Sequence, residues 1–398
     1  MRILTFLHSF EPGGVERVAL RLVRHWRARG ADAPLFMGRT DGAMRQELGE
    51  ELDCHVPSPP HFPIAWCETL WMIATLPPAI RRIRPDLLFC AGNSYAVVAV
   101  AMKLLLGQRC PPIVAKISND LDRRDMPWPV RMLYRLWLRI QGRFIDHFIA
   151  MAPGLEAEIG ALIRPGRSVI SVIPDPALSL PQIDRLRAAP QKEAPATRRF
   201  VAIGRLVRQK NFALMLEAFE KGAAPQDRLI FYGDGPERLS LQRLTHRLCV
   251  GDRVAFAGHV PDPASHIEPG DIFLLSSDYE GVPAVVLEAL AAGVPIIATR
   301  CSAAMDALLD HGALGRLVPC GDMQAFAGAI ADAGALTQQA AASLAQARRF
   351  TLEEAAPAYL ATFATVALRN GASEKIRPSQ LRRLVRRIVT PSDPSRRA

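Results

Sequence analysis

The sequence predicts an α/β protein built from two Rossmann-like domains facing each other across a cleft, and three observations predict it. The chain has 398 residues, more than one hydrophobic core usually organises. Short apolar runs alternate with segments of helical period, the pattern of a parallel sheet covered by helices. That alternation dissolves between Pro174 and Thr197, where Pro174, Pro176, Pro181, Pro190 and Pro195 interrupt it, and then starts afresh.

Taken in order, Ile3 to Leu7 reads as a strand, Gly14 to Arg27 as a helix and Pro34 to Met37 as a second strand. Further strands are expected at Asp86 to Cys90, Ile113 to Ile117, His147 to Ala150 and Ser168 to Ile173. After the proline-rich stretch, strands are expected at Phe200 to Ile203, Arg228 to Tyr232, Val254 to Ala257, Ile272 to Leu275 and Pro295 to Thr299. Helices are expected at Asn211 to Lys221, Glu237 to Leu248 and Pro283 to Ala292, with a helical region from Met323 to Arg369. These readings place an N-terminal Rossmann-like domain over 1–178, a linker over 179–197 and a second Rossmann-like domain over 198–350. A C-terminal helix over 351–374, packing back toward the first domain, and a basic tail over 375–398 complete the expected plan.

Composition narrows the class. Hydrophobic residues make up 49% and charged residues 22%, ordinary globular values. The best candidate for a membrane span, Ala96 to Leu106, is broken by Lys103 and falls short of the required length. The first residues read as a strand and not as a signal peptide, and the seven cysteines have no metal or disulfide spacing, so a reduced, cytoplasmic protein without a bound metal is expected. No H-E-x-x-H, G-x-S-x-G or Walker sequence occurs, which removes zincin, serine-hydrolase and P-loop chemistry. Nucleic-acid binding lacks a motif with aromatic interleaving.

The chemistry concentrates in three strand-to-helix turns. The first runs from Ser276 to Leu290, where Glu280, Gly281, Val282 and Pro283 lead into a helix carrying Glu288. Free N–H groups at such a helix start form an anion site suited to a diphosphate, and the two carboxylates beside it suit sugar and ribose hydroxyls. The second is Gly204-Arg205-Leu206-Val207-Arg208-Gln209-Lys210, where a forked guanidinium and an ammonium share one loop and can neutralise a leaving diphosphate without a metal. In the third, Gly13 and Gly14 allow close approach of a ligand to a helix N-terminus, but their spacing is not the G-x-G-x-x-G of dinucleotide binding. Gly233-Asp234-Gly235-Pro236 and Gly258-His259-Val260 each follow a strand and fit simple turns as well as binding loops. His8 reads as an ordinary loop residue.

With these residues in hand the chain resembles, over nearly its full length, the retaining glycosyltransferase family 4, whose members have the GT-B fold. The resemblance rests on the order and spacing of Pro12-Gly13-Gly14-Val15-Glu16, Ile173-Pro174-Asp175-Pro176, Gly204-Arg205-Leu206 with Lys210, Gly233-Asp234-Gly235-Pro236, Gly258-His259-Val260 and Glu280-Gly281 to Glu288. It implies transfer of a sugar from a nucleotide-sugar, a UDP-sugar, to a glycan or lipid-linked acceptor in cell-surface polysaccharide synthesis, with no cofactor and no metal. Arg205 and Lys210 would bind the donor diphosphate, Glu288 the ribose and Glu280 the transferred sugar near its anomeric carbon. The backbone at His259 and Val260 would face the base, and the Gly13-Gly14 loop would close over the donor from the opposite domain. Many members carry a His after the strand that here reads Pro112 to Ile117, and this sequence offers Ser118 and Asn119 instead. Neither is a base of neutral pKa. A front-face exchange, in which the departing phosphate accepts the acceptor's proton, tolerates that loss. A sugar-nucleotide epimerase of the same fold and a non-catalytic sugar-nucleotide-binding subunit are the competing readings.

The net charge of +10 calls for an anionic partner. Arg131, Arg135 and Arg139 recur beside Met132, Leu133, Leu136, Trp137 and Ile140, a pattern that fits both a domain helix burying one face and a helix lying on an anionic membrane. The tail, with Leu381, Leu384, Val385 and Ile388 spaced against its arginines, fits a basic amphipathic helix or a solvated terminus. Peripheral attachment to the inner face of the cytoplasmic membrane follows as an expectation.

Overall fold

The computed structural model describes residues 1–11, 13–42, 44–45, 52–58, 67–118, 121–123, 126–166, 169–188, 197–336 and 339–370. Pro12, Asn119 and the basic tail expected over 375–398 lie outside the described residues. The chain divides into two compact units, Met1–Pro176 joined by the segment from Leu352 onward, and Ala177–Thr351.

The first unit is a parallel sheet. Its strands are β1 (Ile3–Leu7), β2 (Leu35–Met37), β3 (Cys54–His55), β4 (Leu87–Cys90), β5 (Ile113–Ile117), β6 (His147–Ala150) and β7 (Val169–Val172), in the order β3-β2-β1-β4-β5-β6-β7. The central strands β1, β4, β5 and β6 are buried along their whole length, which is why they read as continuous apolar runs without alternation. Its helices are α1 (Gly14–Ala28), α2 (Glu68–Ile83), α3 (Ala96–Leu106), α4 (Trp128–Phe144) and α5 (Leu155–Leu162). Helix α1 buries Val18, Leu22, Val23 and Trp26, one apolar stripe at helical spacing. Lys116 on β5 is 2% exposed and donates to Asp175 Oδ1 at 2.8 Å, so the Ile173-Pro174-Asp175-Pro176 segment supplies the counter-charge of a buried ammonium.

The second unit repeats the plan. After α6 (Leu180–Arg187) come β8 (Arg199–Ile203), α7 (Phe212–Gly222), β9 (Arg228–Tyr232), α8 (Arg238–Arg247), β10 (Val254–Gly258) and β11 (Asp271–Leu275). Then follow α9 (Ala284–Ala292), β12 (Ile296–Thr299), α10 (Ala304–Leu308), β13 (Arg316–Val318), α11 (Met323–Ala331) and α12 (Ala340–Arg348). The sheet order is β10-β9-β8-β11-β12-β13, all parallel. Phe212 meets Phe231 edge-on at 5.1 Å between ring centroids, and Phe200 meets Phe219 at 5.8 Å, fixing α7 on β8 and β9. The last described helix, α13 (Leu352–Arg369), belongs to the first unit. Its Tyr359 and Phe363 pack on Trp26 and Phe89, and Trp26 Nε1 donates to the Ala356 carbonyl at 3.1 Å.

Several expectations need correction. The stretch expected to be a linker over 179–197 contains α6, capped by Ser179 Oγ, which accepts from Gln182 N at 3.4 Å. The region from Met323 to Arg369 is helical as expected, and among the described residues it divides into α11, α12 and α13. Asp322 caps α11 and Gln339 precedes α12; a further turn separates α12 from α13. Helix α9 begins at Ala284, with Pro283 in the N-cap place at ψ 104. Strands β3 and β13 were not expected, because two and three residues are too short to display a period.

Candidate donor-binding site

In a doubly wound parallel sheet a ligand binds at the carboxyl ends of the strands, where the strand order reverses. In the second unit that reversal lies between β8 and β11. The loop after β8 carries Gly204, Arg205 and Lys210, and the loop after β11 carries Ser276 to Pro283. Two of the three sequence motifs therefore meet where the topology of this unit opens a crevice.

The two loops are tied together atom by atom. Lys210 Nζ donates to Glu280 Oε1 at 2.5 Å, and Ser277 Oγ donates to the same oxygen at 2.8 Å. Gln209 Nε2 donates to the Tyr279 carbonyl at 2.8 Å, Asn211 Nδ2 to Asp278 Oδ1 at 2.8 Å, and Ser276 Oγ to the Lys210 carbonyl at 2.8 Å. From behind, Thr299 Oγ1 donates to the Ser277 carbonyl at 2.6 Å and Glu280 N to the Cys301 carbonyl at 3.0 Å. Burial, and next to it the Glu280 carboxylate, raises the pKa of the Cys301 thiol, which stays protonated. Glu280 is thus held by one oxygen, while its Oε2 and the remaining ammonium hydrogens of Lys210 have no side-chain partner among the described residues.

Beside this pair α9 starts without a side-chain cap, so its first N–H groups have no side-chain acceptor, the condition under which a helix start can take an anion. Gly281 is buried and Val282 half-buried in the turn that precedes it. Glu288, half-buried one turn into α9, accepts from Gln182 Nε2 of α6 at 3.3 Å. Arg205 is exposed, and among the described residues its side chain makes no ion pair. The structure therefore joins Lys210 to Glu280 but joins Arg205 to neither.

The glycine motifs turn out to shape the loop. Gly233, at φ +144, has no room for a Cβ, which would fall 2.0 Å from the Gly204 carbonyl oxygen; at Gly235 it would fall 2.4 Å from that of Leu206. Leu206 N donates to the Asp234 carbonyl at 2.9 Å and Gly233 N to the Gly258 carbonyl at 2.8 Å, so β9 and β10 brace the Arg205 loop. His259, exposed, and Val260, half-buried, follow β10 at the same edge of the sheet.

The first unit has its own reversal, between β1 and β4. His8 follows β1 and stacks on Tyr95 at 4.8 Å, and the Tyr95 hydroxyl donates to Glu16 Oε1 at 2.6 Å. Burial, reinforced by Arg39, lowers the His8 pKa to about 4, so the ring is neutral. Gly13 leaves room for Glu16, whose Oε2 lies 2.0 Å from where a Cβ would stand, whereas Gly14 is open and exposed. Ser118 is engaged with Asn93: its N donates to Asn93 Oδ1 at 2.9 Å and its Oγ accepts from Asn93 N at 3.2 Å. Sequence reasoning missed Gln182, because it lay in a stretch read as linker. It also missed the Tyr95–Glu16 contact, because the partners are far apart in the chain.

Among the described residues no cluster of His, Cys, Asp or Glu has the geometry to hold a metal ion. Comparison with known proteins agrees with the two-unit plan. Residues 12–176 match the family described as Glycosyltransferase Family 4, and residues 197–334 the one described as Glycosyl transferases group 1. The chain is 34% identical over 148 residues to the lipopolysaccharide core biosynthesis glycosyltransferase LpsE of Rhizobium meliloti, a match covering 37% of this chain and 42% of that protein. The chain spans about two fifths of the length of LpsE, and of the similar LpsD of the same organism. Its fold is similar to that of the lipopolysaccharide outer core galactosyltransferase WaaB in its apo form, with a TM-score of 0.70 at 18% identity, covering 93% of this chain and 100% of that one. It is equally similar to Anabaena HepE in complex with UDP, with a TM-score of 0.70 at 21% identity over 92% and 100% of the two chains. Two parallel Rossmann-like sheets, the motif order along them and the two family matches that cover most of the chain lead to one assignment: the chain belongs to the family 4, group 1 glycosyltransferases.

Proposed function

We propose that the protein transfers a sugar from a nucleotide-sugar donor, a UDP-sugar, to a glycan or lipid-linked acceptor with retention of anomeric configuration, in the synthesis of cell-surface polysaccharide or lipopolysaccharide. The observation that carries this reading is the Lys210–Glu280 pair, 2.5 Å apart at the strand-order reversal of the second unit beside the uncapped start of α9. A cation, a half-occupied carboxylate and open helical N–H groups in one crevice suit a sugar diphosphate better than any neutral ligand.

In this reading the bond between the anomeric carbon and the phosphate oxygen breaks, and its electron pair leaves with the diphosphate. Lys210, Arg205 and the N–H groups following Gly281, Val282 and Pro283 receive that charge, which makes a metal unnecessary. Glu280 Oε2 accepts from hydroxyls of the transferred sugar, Glu288 from the ribose, and the backbone at His259 and Val260 faces the base. The acceptor hydroxyl attacks from the face the diphosphate leaves, and its proton passes to the departing phosphate oxygen. Ser118 needs no basicity for this route, consistent with its engagement by Asn93. The name of LpsE supports an acceptor in lipopolysaccharide, and the UDP complex of HepE supports a uridine donor. Such an acceptor lies at a membrane, and the reading includes peripheral attachment to its anionic inner face.

Incubation with a panel of nucleotide sugars and acceptors, followed by product analysis, tests it. Glu280→Ala and Lys210→Ala are expected to lower turnover by roughly 10²-fold or more while the fold is retained, the scale seen when a group stabilising transition-state charge is removed. Full turnover in either variant contradicts the assignment. Epimerised donor without transfer, or binding without any product, would favour an epimerase or a binding subunit instead.

A further inference from the structure

Helix α4 is turned inside out relative to an ordinary domain helix. Its inward face buries little beyond Leu138, Gln141 and Gly142. Its outward face carries Trp128, Met132, Leu136 and Ile140 at four-residue spacing, with Leu133 alongside. Trp128 is 67% exposed, Leu133 68% and Leu136 56%. An apolar stripe of this kind in water is costly unless something covers it. The neighbouring helix α3 exposes Leu104 and Leu105 as well.

Charge says what covers it. No Asp or Glu occurs between Met126 and Ile145, while Arg131, Arg135, Arg139 and Arg143 all lie on α4. A cavity of about 620 Å³ between Trp128, Met132, Leu136 and Arg139 runs along the apolar stripe. Arg139 also lines a second cavity, of about 810 Å³, together with Arg143, Arg164 and Arg369. Among the described residues none of these four guanidiniums makes a salt bridge, and the Asp146 that lines the same cavity is already bound by Lys103 Nζ at 2.7 Å and by Ile113 N at 2.7 Å. An apolar groove thus opens, through a shared arginine, into a pocket of uncompensated positive charge.

We propose that this face of the first unit docks on an anionic phospholipid bilayer. Trp128, Met132, Leu133 and Leu136 enter the boundary between headgroups and acyl chains, and Arg139, Arg143, Arg164 and Arg369 receive lipid phosphates. Shallow burial of one helix gives reversible attachment, and each arginine near an anionic surface adds to it. The assignment rests on the peripheral-attachment reading above and adds the surface that makes the contact.

The test is co-sedimentation of the full chain with vesicles of phosphatidylcholine and phosphatidylglycerol at 7:3, against vesicles of phosphatidylcholine alone, with neither donor nor acceptor present. Failure here therefore leaves the transfer reading untouched. The wild-type chain is expected to bind the anionic vesicles at least tenfold more tightly than the neutral ones. Leu133→Asp/Leu136→Asp and Arg139→Gln/Arg143→Gln should each lose most of that binding without a change in thermal midpoint, and a chain ending at Asn370 should keep it. A blue shift of tryptophan emission on the anionic vesicles should vanish in Trp128→Phe. Unchanged binding by both α4 variants, or binding abolished by removal of the tail alone, would overturn the proposal. So would a dimer in solution that the Leu133→Asp/Leu136→Asp variant dissolves while wild-type chains ignore vesicles.

Discussion

Two buried or half-buried ion pairs have opposite meanings at the scale of single residues. Lys116 and Asp175, in the first unit, are closed off from water, and the ammonium sits within a strand that is otherwise wholly apolar. Removing one partner strands the other charge, so Asp175→Ala is expected to cost about 3 kcal/mol or more of stability in urea unfolding. A loss below about 1 kcal/mol would show that Lys116 escapes to solvent. Lys210 and Glu280, by contrast, keep unspent hydrogen-bonding capacity, since one carboxylate oxygen has both partners and the other is left over. The residue types and spacing of this second pair were legible in the sequence, because both members follow apolar strands. Their direct contact was not, because it depends on β8 and β11 being neighbours in the sheet. Arg205 was legible as a loop cation, but not its standing apart from the pair, which depends on how the loop is folded.

Elements explain why the glycines sit where they do. The turn Gly233-Asp234-Gly235 carries no ligand-facing side chain in the proposed reaction, but it packs its backbone against Gly204 and Leu206. Gly233→Ala places a Cβ 2.0 Å from the Gly204 carbonyl oxygen in a backbone at φ +144. Strain of that kind costs roughly 1–3 kcal/mol. The variant should therefore unfold at lower urea and bind a nucleoside diphosphate more weakly, because the Arg205 loop is displaced. Wild-type stability would contradict the bracing role. Core strands of four or five residues read well from sequence because burial on both faces leaves an unbroken apolar run. Helix α6 did not, since two prolines and several charges hide its Ser179 cap; α4 was read as a helix with two possible faces, and which of its apolar side chains stay exposed was not legible.

For the whole molecule, acid sensitivity can be derived from two histidines of the first unit. Burial first, and a nearby arginine second, lowers the pKa of both His8 and His147 from 6.5 to about 4. A histidine that is harder to protonate in the folded chain makes the unfolded chain bind more protons between those two values, so stability is full above about pH 6.5 and falls as pH drops toward 4. Thermal midpoints measured from pH 7.5 to 5 should decline, and the decline should be shallower in His8→Asn/His147→Asn. An equal slope in that variant would assign the acid sensitivity to other groups. The two-unit plan itself was legible from the restart of the βαβ pattern, and the strand order, which fixes where each crevice opens, was not. That order sets the β8–β11 reversal beside Lys210 and the open start of α9, where the proposed function has a nucleoside diphosphate received. Isothermal titration calorimetry of UDP, GDP and ADP into wild-type and Lys210→Ala chains tests it most directly. One diphosphate, UDP, is expected to bind the wild type and to lose at least tenfold in affinity in the variant; equal affinity of the two chains for every diphosphate would rule out this role of Lys210.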